Sequence, residues 1–409
     1  MPEGPGDQPD EVSMYRNPPL VRAFWPLFYT ALFVGAAGCG CEEDPGLDPL
    51  EPDPVVDASW NRGFYLDMAL DGEGDPWLAY QDRDTTALNI AHGTGDPVEF
   101  THWAVDGHGA AEGGMLVGAF DGGYYASVAV SPEGSVHATH WSRDNDGQLR
   151  HAVRQGDSWT TTVVDYGGVG QFTSLGLRNG EPIVAYYNYD DRALKVAWKS
   201  EQTWSNETVD AGELTQDGID DGATLADVGR YADLLVTADG TTYIAYFDHA
   251  NGNLKVAVGG PGNWTVDTWY GEGTGRAGAW PNLSEAGGAV HVAFQDETAS
   301  AVLFGQWTGA ELAPAAGSTT GLTVAARQFV GPDPATAWVS GSPVIMYHDG
   351  VENDALLATM GPEGWTSTIF AADGAVGFHN QMAADDSGNV NWACFNHSTT
   401  DISFQRFTP

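Results

Sequence analysis

Oxygen-bearing side chains recur at one position of a repeated pattern, and they are the side chains of this sequence best suited to chemistry. In six places a ring-bearing residue, and in a seventh place a cysteine, is followed two positions later by Asp, Asn or Ser. These polar residues are Asp82, Ser142, Asn188, Asp248, Asp296, Asp349 and Asn396. Oxygens that meet on one surface can bind a hard cation such as calcium, or the hydroxyls of a sugar. The alternative is that each side chain accepts hydrogen bonds from its own turn.

A second polar position recurs earlier in each repeat, two residues after an aromatic residue, as in Tyr65-Leu66-Asp67-Met68. It is occupied by Asp67, Ser127, Ser174, Asp233 and Asn282. If the repeats surround a common axis, these side chains line a central channel and add oxygens to the same ligand site. The sixth and seventh repeats match less well, and the nearest segments are residues 335–338 and Phe378 with Asn380.

Metal and catalytic motifs are sparse. Residues 142–147 read S-R-D-N-D-G, so Asp144 and Asp146 alternate with other residues before a glycine, as in calcium loops. The segment lacks the Asp expected at the first position and a Glu at the twelfth. Four histidines lie near the seven aligned polar residues, which we call the rim. Their spacing in the sequence does not pair any of them with a carboxylate, so no catalytic residue is assigned. The four histidines are His140, His249, His348 and His397.

Short strands must position these side chains, because the residues around them alternate with a period of two. The first residues of the seven aligned segments are 60, 46, 60, 48, 53 and 47 residues apart. A period near fifty with three or four strands per unit is typical of β-propeller blades. The sequence therefore predicts an all-β fold, with one seven-bladed β-propeller over residues 55–409. Tryptophans 159, 204, 264 and 365, near the start of fourth strands, are expected to pack between blades.

The two ends of this region predict how the ring closes. The last repeat stops at residues 404–407, after its third strand, whereas residues 55–58 (V-V-D-A) resemble the fourth strand at 163–166 (V-V-D-Y). We therefore expect the N-terminal strand to complete the last blade. This pairing would remove two exposed strand edges.

The first 54 residues are expected to be an export signal and a tether. Residues 23–37 are apolar and uncharged, with Arg16 and Arg22 before them and Ala36-Ala37-Gly38-Cys39 after them. We assign residues 1–38 to a signal peptide, with Met14 as an alternative start, and Cys39 to lipidation. The acidic, Pro-rich residues 39–54 form the tether. The protein is thus expected to be exported and anchored by lipid to the outer membrane or cell surface.

The charge of the chain restricts its partners. The formal net charge is −40, with 56 acidic and 16 basic residues. This charge excludes ordinary nucleic-acid binding, because phosphates would be repelled, and it disfavours anionic sugars. We expect contact with a membrane only through the lipid anchor, and a monomeric protein. Cys394 is expected to be a small buried apolar residue in a core strand.

Segments such as Ile183-Val184-Ala185-Tyr186-Tyr187-Asn188 followed by Leu194-Lys195-Val196-Ala197 resemble repeats of secreted bacterial β-propeller lipoproteins. The blade layout also resembles that of the sialidase-like superfamily, although its Ser-x-Asp-x-Gly-x-x-Trp box is absent. The resemblance implies the architecture and leaves the ligand open. We expect a binding module that holds a glycan or a protein on the channel face, with calcium as a possible aid. The alternative is a hydrolase or lyase acting on an extracellular polysaccharide.

Overall fold

The computed structural model describes residues 61–107, 111–112, 115–116, 121–144, 146–213, 225–271, 275–327 and 329–409. Within these ranges the chain forms thirty β-strands and no helix. Accordingly, none of these ranges supplies a helix that could cross a membrane. Seven successive antiparallel sheets follow one another along the chain, which confirms the predicted all-β, seven-bladed propeller.

Each blade is a meander whose strands are adjacent in sequence order, except that in blade 5 the strands β22 and β23 both pair with β21. Blades 1 and 2, with a small hairpin between them, comprise β1 (Arg62–Leu70), β2 (Pro76–Asp82), β3 (Ala87–Thr94), β4 (Glu99–Gly107), β5 (Ala111–Glu112), β6 (Met115–Leu116), β7 (Tyr124–Val130), β8 (Val136–Ser142), β9 (Gln148–Gln155) and β10 (Ser158–Tyr166). Blades 3 and 4 comprise β11 (Val169–Arg178), β12 (Glu181–Asn188), β13 (Ala193–Ser200), β14 (Thr203–Asp210), β15 (Val228–Val236), β16 (Thr242–Asp248), β17 (Asn253–Gly260) and β18 (Asn263–Tyr270). Blades 5 to 7 comprise β19 (Ala277–Ala286), β20 (Ala289–Asp296), β21 (Ala301–Trp307), β22 (Leu312–Pro314), β23 (Thr323–Ala326), β24 (Ala335–Val339), β25 (Ser342–Asp349), β26 (Asp354–Gly361), β27 (Gly364–Ala371), β28 (Phe378–Ala384), β29 (Val390–Asn396) and β30 (Asp401–Phe407).

Burial along the strands reflects their place in the blade. Every residue of β2 is buried, because the second strand of a blade lies between the neighbouring blades on both of its faces. By contrast, the outer strand β14 alternates exposed and half-buried residues. The apolar segments that end at the seven aligned polar residues are therefore second strands. The segments that begin near the four tryptophans are outer strands.

The hydrophobic cores lie between blades. Trp204 of blade 3 packs with Leu149 of blade 2 and Val184 of its own blade, as the sequence predicted for these tryptophans. Cys394 is fully buried, as expected. A further cluster joins Leu66 of blade 1 to Phe404 of blade 7, so the ring of blades is closed by packing.

Three strands of blade 7 are described, β28, β29 and β30. Where blades 7 and 1 meet, the Arg62 amide donates to the Thr400 carbonyl over 3.1 Å. Residues 55–58, which are predicted to add the fourth strand, lie outside the described ranges. The signal peptide, Cys39 and the tether also lie outside them, so these assignments remain predictions.

Candidate functional site

The innermost strands of the blades share an unusual backbone position near their beginnings. At this position the φ angle lies between 50° and 54° in all seven blades. In six blades it coincides with a register shift against the second strand, which is a β-bulge. The residues are Tyr65, Tyr125, Phe172, Tyr231, Trp280, Asp333 and His379. A bulky residue with positive φ is uncommon, and its recurrence indicates a conformation fixed by the surrounding blades.

Six of these seven residues carry rings, and the rings contact one another from blade to blade. We call Tyr65, Tyr125, Phe172, Tyr231, Trp280 and His379 the aromatic collar. Its centroid separations are 4.5 Å (Tyr65–Tyr125), 4.6 Å (Tyr125–Phe172), 4.8 Å (Phe172–Tyr231), 3.9 Å (Tyr231–Trp280) and 5.6 Å (Tyr65–His379). Tyr65 and Tyr231 are buried, and the other four members are half-buried: Tyr125, Phe172, Trp280 and His379. In blade 6 the buried Asp333 takes the place of a ring and interrupts the collar.

The collar and the rim of Asp and Asn residues occupy one face of the propeller. Adjacent strands are antiparallel, so the start of an inner strand lies beside the end of the second strand. Arg62 pairs with Asp82, and Val228 pairs with Asp248. We call this side the mouth face. The sequence predicted the shared face of the rim residues correctly, but it did not identify the aromatic collar as a site.

The rim residues form their own turns, as the alternative interpretation of the sequence proposed. Six of the seven, all Asp or Asn, accept a backbone N–H from two or three residues further along the chain, whereas the buried Ser142 hydroxyl does not. The donor amides are Asp84 for Asp82 (2.9 Å), Asp190 for Asn188 (3.0 Å), Asn251 for Asp248 (3.0 Å), Ala299 for Asp296 (2.8 Å), Val351 for Asp349 (3.0 Å) and Ser398 for Asn396 (3.0 Å).

In three of these turn residues the carboxylate also contacts a second side chain. Asp82 Oδ2 lies 3.0 Å from Arg62 Nε, and Asp248 Oδ2 accepts the Asn251 side chain over 2.9 Å. Asp349 forms an ion pair with Arg327. Ligand binding by the rim residues stays a prediction, and their observed contacts are those of turns.

The inner polar set joins neighbouring blades. Asp67 Oδ2 accepts the Ser127 hydroxyl over 2.7 Å and the Val128 amide over 2.8 Å. The same pattern continues around the ring, as the amide that follows each polar position donates to the polar side chain of the preceding blade. The further pairs are Leu175 N to Ser127 Oγ (3.0 Å), Leu234 N to Ser174 Oγ (2.8 Å), Leu283 N to Asp233 Oδ2 (2.6 Å) and Thr336 N to Asn282 Oδ1 (2.8 Å). We call these contacts the inter-blade hydrogen bonds.

Blades 6 and 7 depart from the sequence-based alignment. The match at residues 335–338 and the match through Phe378 and Asn380 were wrong, because the left-handed residues are Asp333 and His379. Asp333 Oδ2 accepts the His379 amide over 2.9 Å, and Gln381 Nε2 donates to the Leu66 carbonyl over 3.1 Å. Blades 6 and 7 are thus linked to their neighbours by other residue types. A search for an aromatic residue followed by a small polar residue does not find these positions.

Burial disfavours the charged form of the two inner carboxylates. Desolvation raises the pKa of Asp67, while hydrogen bonds from Ser127, Val128 and Met68 oppose the shift. Desolvation likewise raises the pKa of Asp233 to about 6, and repulsion from Asp67 contributes in the same direction. Asp67 and Asp233 were predicted as ligand residues. Their hydrogen bonds assign them a structural role, and their ligand role stays a prediction.

Two of the histidines named from the sequence, His140 and His249, lie beside a carboxylate. His140 Nε2 lies 3.1 Å from Asp106 Oδ2, and its Nδ1 accepts the Gly123 amide over 2.9 Å. The ring is fully buried, so both nitrogens serve the structure. His249 Nδ1 lies 3.7 Å from Asp227 Oδ2, beyond hydrogen-bond distance. His140 is therefore closed off from a substrate, and Asp227 does not orient His249 through a hydrogen bond.

The calcium-like segment is engaged with a neighbouring loop. Asp144 Oδ2 accepts the Asp121 amide over 2.6 Å, and the Asp146 carbonyl accepts the Gly168 amide over 2.5 Å. Across the part of the chain that the structure describes, no group of three or more His, Cys, Asp and Glu side chains is placed to hold a metal ion. Calcium binding by Asp144 and Asp146 remains a prediction.

Comparisons with known proteins give the fold. No protein-family model and no curated protein matches this sequence. An ulvan lyase of polysaccharide lyase family PL25, solved with a bound -[GlcA(1-4)Rha3S]- segment, has a TM-score of 0.55 and 13% identity, covering 87% of this chain and 93% of that chain. The arabinofuranosidase Arb93A from Fusarium graminearum has a TM-score of 0.48 and 11% identity, covering 87% and 96%. A protein of unknown function from Dyadobacter fermentans has a TM-score of 0.49 and 11% identity, covering 70% and 94%. At such low identity, the likeness to the ulvan lyase shows that this chain shares the β-propeller fold.

Proposed function

We propose that this protein is a binding module that holds a glycan on the aromatic collar of the mouth face. The observation that carries this proposal is the set of six rings in mutual contact around the inner strands. A sugar ring has an apolar C–H face and a polar edge of hydroxyls. Flat aromatic side chains stack on the apolar C–H face, and a few fixed polar groups bind the hydroxyls. Because the collar backbone is fixed by bulges and inter-blade hydrogen bonds, the rings need little ordering when a ligand binds.

The cellular context completes the proposal. Export through residues 1–38 and lipidation at Cys39 would anchor the protein to the outer membrane or cell surface. The acidic, Pro-rich residues 39–54 would then extend the propeller away from the membrane. A glycan met there would bind without entry of the protein into a membrane.

The alternative function is a polysaccharide hydrolase or lyase on the same face. Such an enzyme needs a general base or acid with a free atom directed at the substrate. Both ring nitrogens of His140 are engaged, and His249 is too far from Asp227 for a hydrogen bond. We therefore favour binding without cleavage.

The test uses the soluble domain, residues 54–409, on a glycan array, with product analysis by mass spectrometry for every glycan that binds. Trp280→Ala should weaken binding by about ten- to a hundredfold, in line with the loss of one stacking ring. Tyr166→Ala is the matched control, because Tyr166 is 66% exposed at the mouth-face end of β10, which is the outermost strand of blade 2 and not one of the inner strands that carry the collar.

Binding that survives both Trp280→Ala and Tyr125→Ala would contradict the collar as the site. Release of shortened oligosaccharides would favour the enzyme instead. Binding of a protein and of no glycan would point to the other class of ligand.

A further inference from the structure

One arginine of the mouth face differs from its neighbours. Arg83 directly follows Asp82, at the end of β2, and it is half-buried. Seven other arginines of the described residues form ion pairs with carboxylates: Arg62, Arg150, Arg154, Arg230, Arg276, Arg327 and Arg406. Among the described residues, the Arg83 guanidinium makes no ion pair and no hydrogen bond, although the chain has 56 acidic residues. Even Asp84, next in sequence, accepts Asn61 Nδ2 over 2.8 Å instead.

Arg83 is held by an aromatic support. Its Cζ lies 3.8 Å from the Phe64 ring centroid, and the Phe64 ring lies 4.0 Å from that of Phe395. A guanidinium stacked on an aromatic face keeps its N–H groups in the plane, directed outward. The Phe395 ring also contacts the imidazole of His397, with centroids 5.4 Å apart. Arg83 and His397 thus flank one pair of rings, tilted by 40° to each other, at the junction of blades 7 and 1.

His379 of the collar belongs to the same neighbourhood. Its ring lies 5.6 Å from that of Tyr65 in blade 1. Burial lowers the pKa of His379, and the positive charges of Arg83 and His397 lower it further, whereas Asp333 opposes the shift. We call Arg83, His379 and His397 the cationic junction. The groups around His379 are therefore the Arg83 guanidinium, the His397 imidazole and the Asp333 carboxylate.

We propose that the cationic junction is a subsite for the carboxylate of an acidic sugar, so that the glycan on the collar carries a uronate at blades 7 and 1. This inference rests on the proposed function. A planar carboxylate can accept two parallel N–H donors from one guanidinium, and the N–H of an adjacent imidazole can add a third. Asp333 repels the carboxylate from the other side and so restricts its position.

The net charge of the chain does not forbid this ligand. The sequence predicted that a field from −40 formal charges disfavours anionic sugars. At physiological salt, charges are screened over about 8 Å, so the nearest groups dominate the potential at the junction. Those groups are the Arg83 guanidinium, two imidazoles and, on the other side, the Asp333 carboxylate.

The experiment measures binding of oligogalacturonate and of its methyl ester by calorimetry. The two probes share one sugar skeleton and differ in the charge of the carboxyl group. The parent domain should bind the free acid at least tenfold more tightly than the ester. Arg83→Gln should reduce acid binding to the level of the ester and leave ester binding unchanged.

Arg192→Gln is the matched control, because Arg192 is an exposed arginine in the equivalent turn of blade 3 and its loss changes the net charge equally. It should alter neither affinity. Circular dichroism melts verify that the variants are folded.

Equal affinity for acid and ester would overturn the subsite and leave the glycan-binding function intact. Failure of the parent domain to bind either probe would also overturn the assignment of a uronate. In that case, the glycan array with Trp280→Ala still tests glycan binding on the collar independently of the uronate subsite. Arg83-dependent binding of dextran sulfate, without binding of oligogalacturonate, would contradict the carboxylate assignment in favour of a sulfate ester.

Discussion

Asp333 is the residue at which the collar loses its symmetry. Its carboxylate accepts the His379 amide over 2.9 Å and lowers the potential beside the cationic junction. We expect Asp333→Asn to bind oligogalacturonate severalfold more tightly, because a negative charge near the ligand carboxylate is removed. Asn tolerates positive φ, and its amide oxygen can still accept from His379.

Calorimetry of Asp333→Asn with oligogalacturonate and its methyl ester provides the measurement. The ester should bind the variant and the parent equally. If the variant instead loses acid binding, Asp333 orients the ligand rather than repelling it.

The inner strand is the element that sets both the collar and the inter-blade hydrogen bonds. In blade 4, Asp233 accepts the Leu283 amide, and in blade 5, Asn282 accepts the Thr336 amide at the same position. An amide side chain therefore suffices for this contact. Asp233→Asn should keep the contact and remove a carboxylate that burial makes difficult to ionise.

The sign of the pH effect follows from the pKa of Asp233, which burial raises from 3.8 to about 6. The folded protein binds this proton more tightly than the unfolded chain, so stability is favoured at low pH and declines as pH rises through about 6. Asp233→Asn should match the parent near pH 4 and exceed it at pH 7.5 by on the order of 1 kcal/mol. Urea unfolding at several pH values measures this difference. A variant that is less stable than the parent at pH 7.5 would mean that the charged carboxylate is favourable.

The strands were predictable from the sequence because buried second strands read as apolar runs and end in Asp or Asn turns. Residues 243–248 and 183–188 illustrate both features. The collar was not predictable as a site, since Tyr65 and Trp280 read as ordinary strand residues. Their left-handed backbone depends on a bulge against the next strand, and sequence alternation does not reveal a bulge. The available signal was the recurrence of an aromatic two residues before a polar side chain.

At the scale of the whole molecule, ring closure depends on contacts between blades 7 and 1. The cluster that contains Leu66 and Phe404 already joins them. We expect residues 55–58 to add a fourth strand to blade 7. A domain of residues 61–409 should therefore melt several degrees below one of residues 54–409, because it leaves an edge strand unpaired. Equal melting temperatures in differential scanning calorimetry would show that the segment does not pair.

The charge of the whole molecule predicts its response to divalent cations. The domain should melt at a higher temperature in calcium or magnesium than in their absence, because cations reduce repulsion among carboxylates. Since Asp248 and Asp296 already accept turn amides, we expect both ions to act equally at matched ionic strength. A larger shift with calcium that Asp248→Asn or Asp296→Asn reduces would instead identify the rim as a calcium site.

Hydrogen exchange with and without the tightest glycan of the array tests the central claim most directly. The described collar lies at the starts of the inner strands, so bound glycan should slow amide exchange at Tyr65, Tyr125, Phe172, Tyr231 and Trp280. The opposite-face turns at residues 71–75 and 131–135 should exchange unchanged. Protection confined to those turns or to the outer strands β10 and β14, with none at the collar, would contradict glycan binding at the aromatic collar.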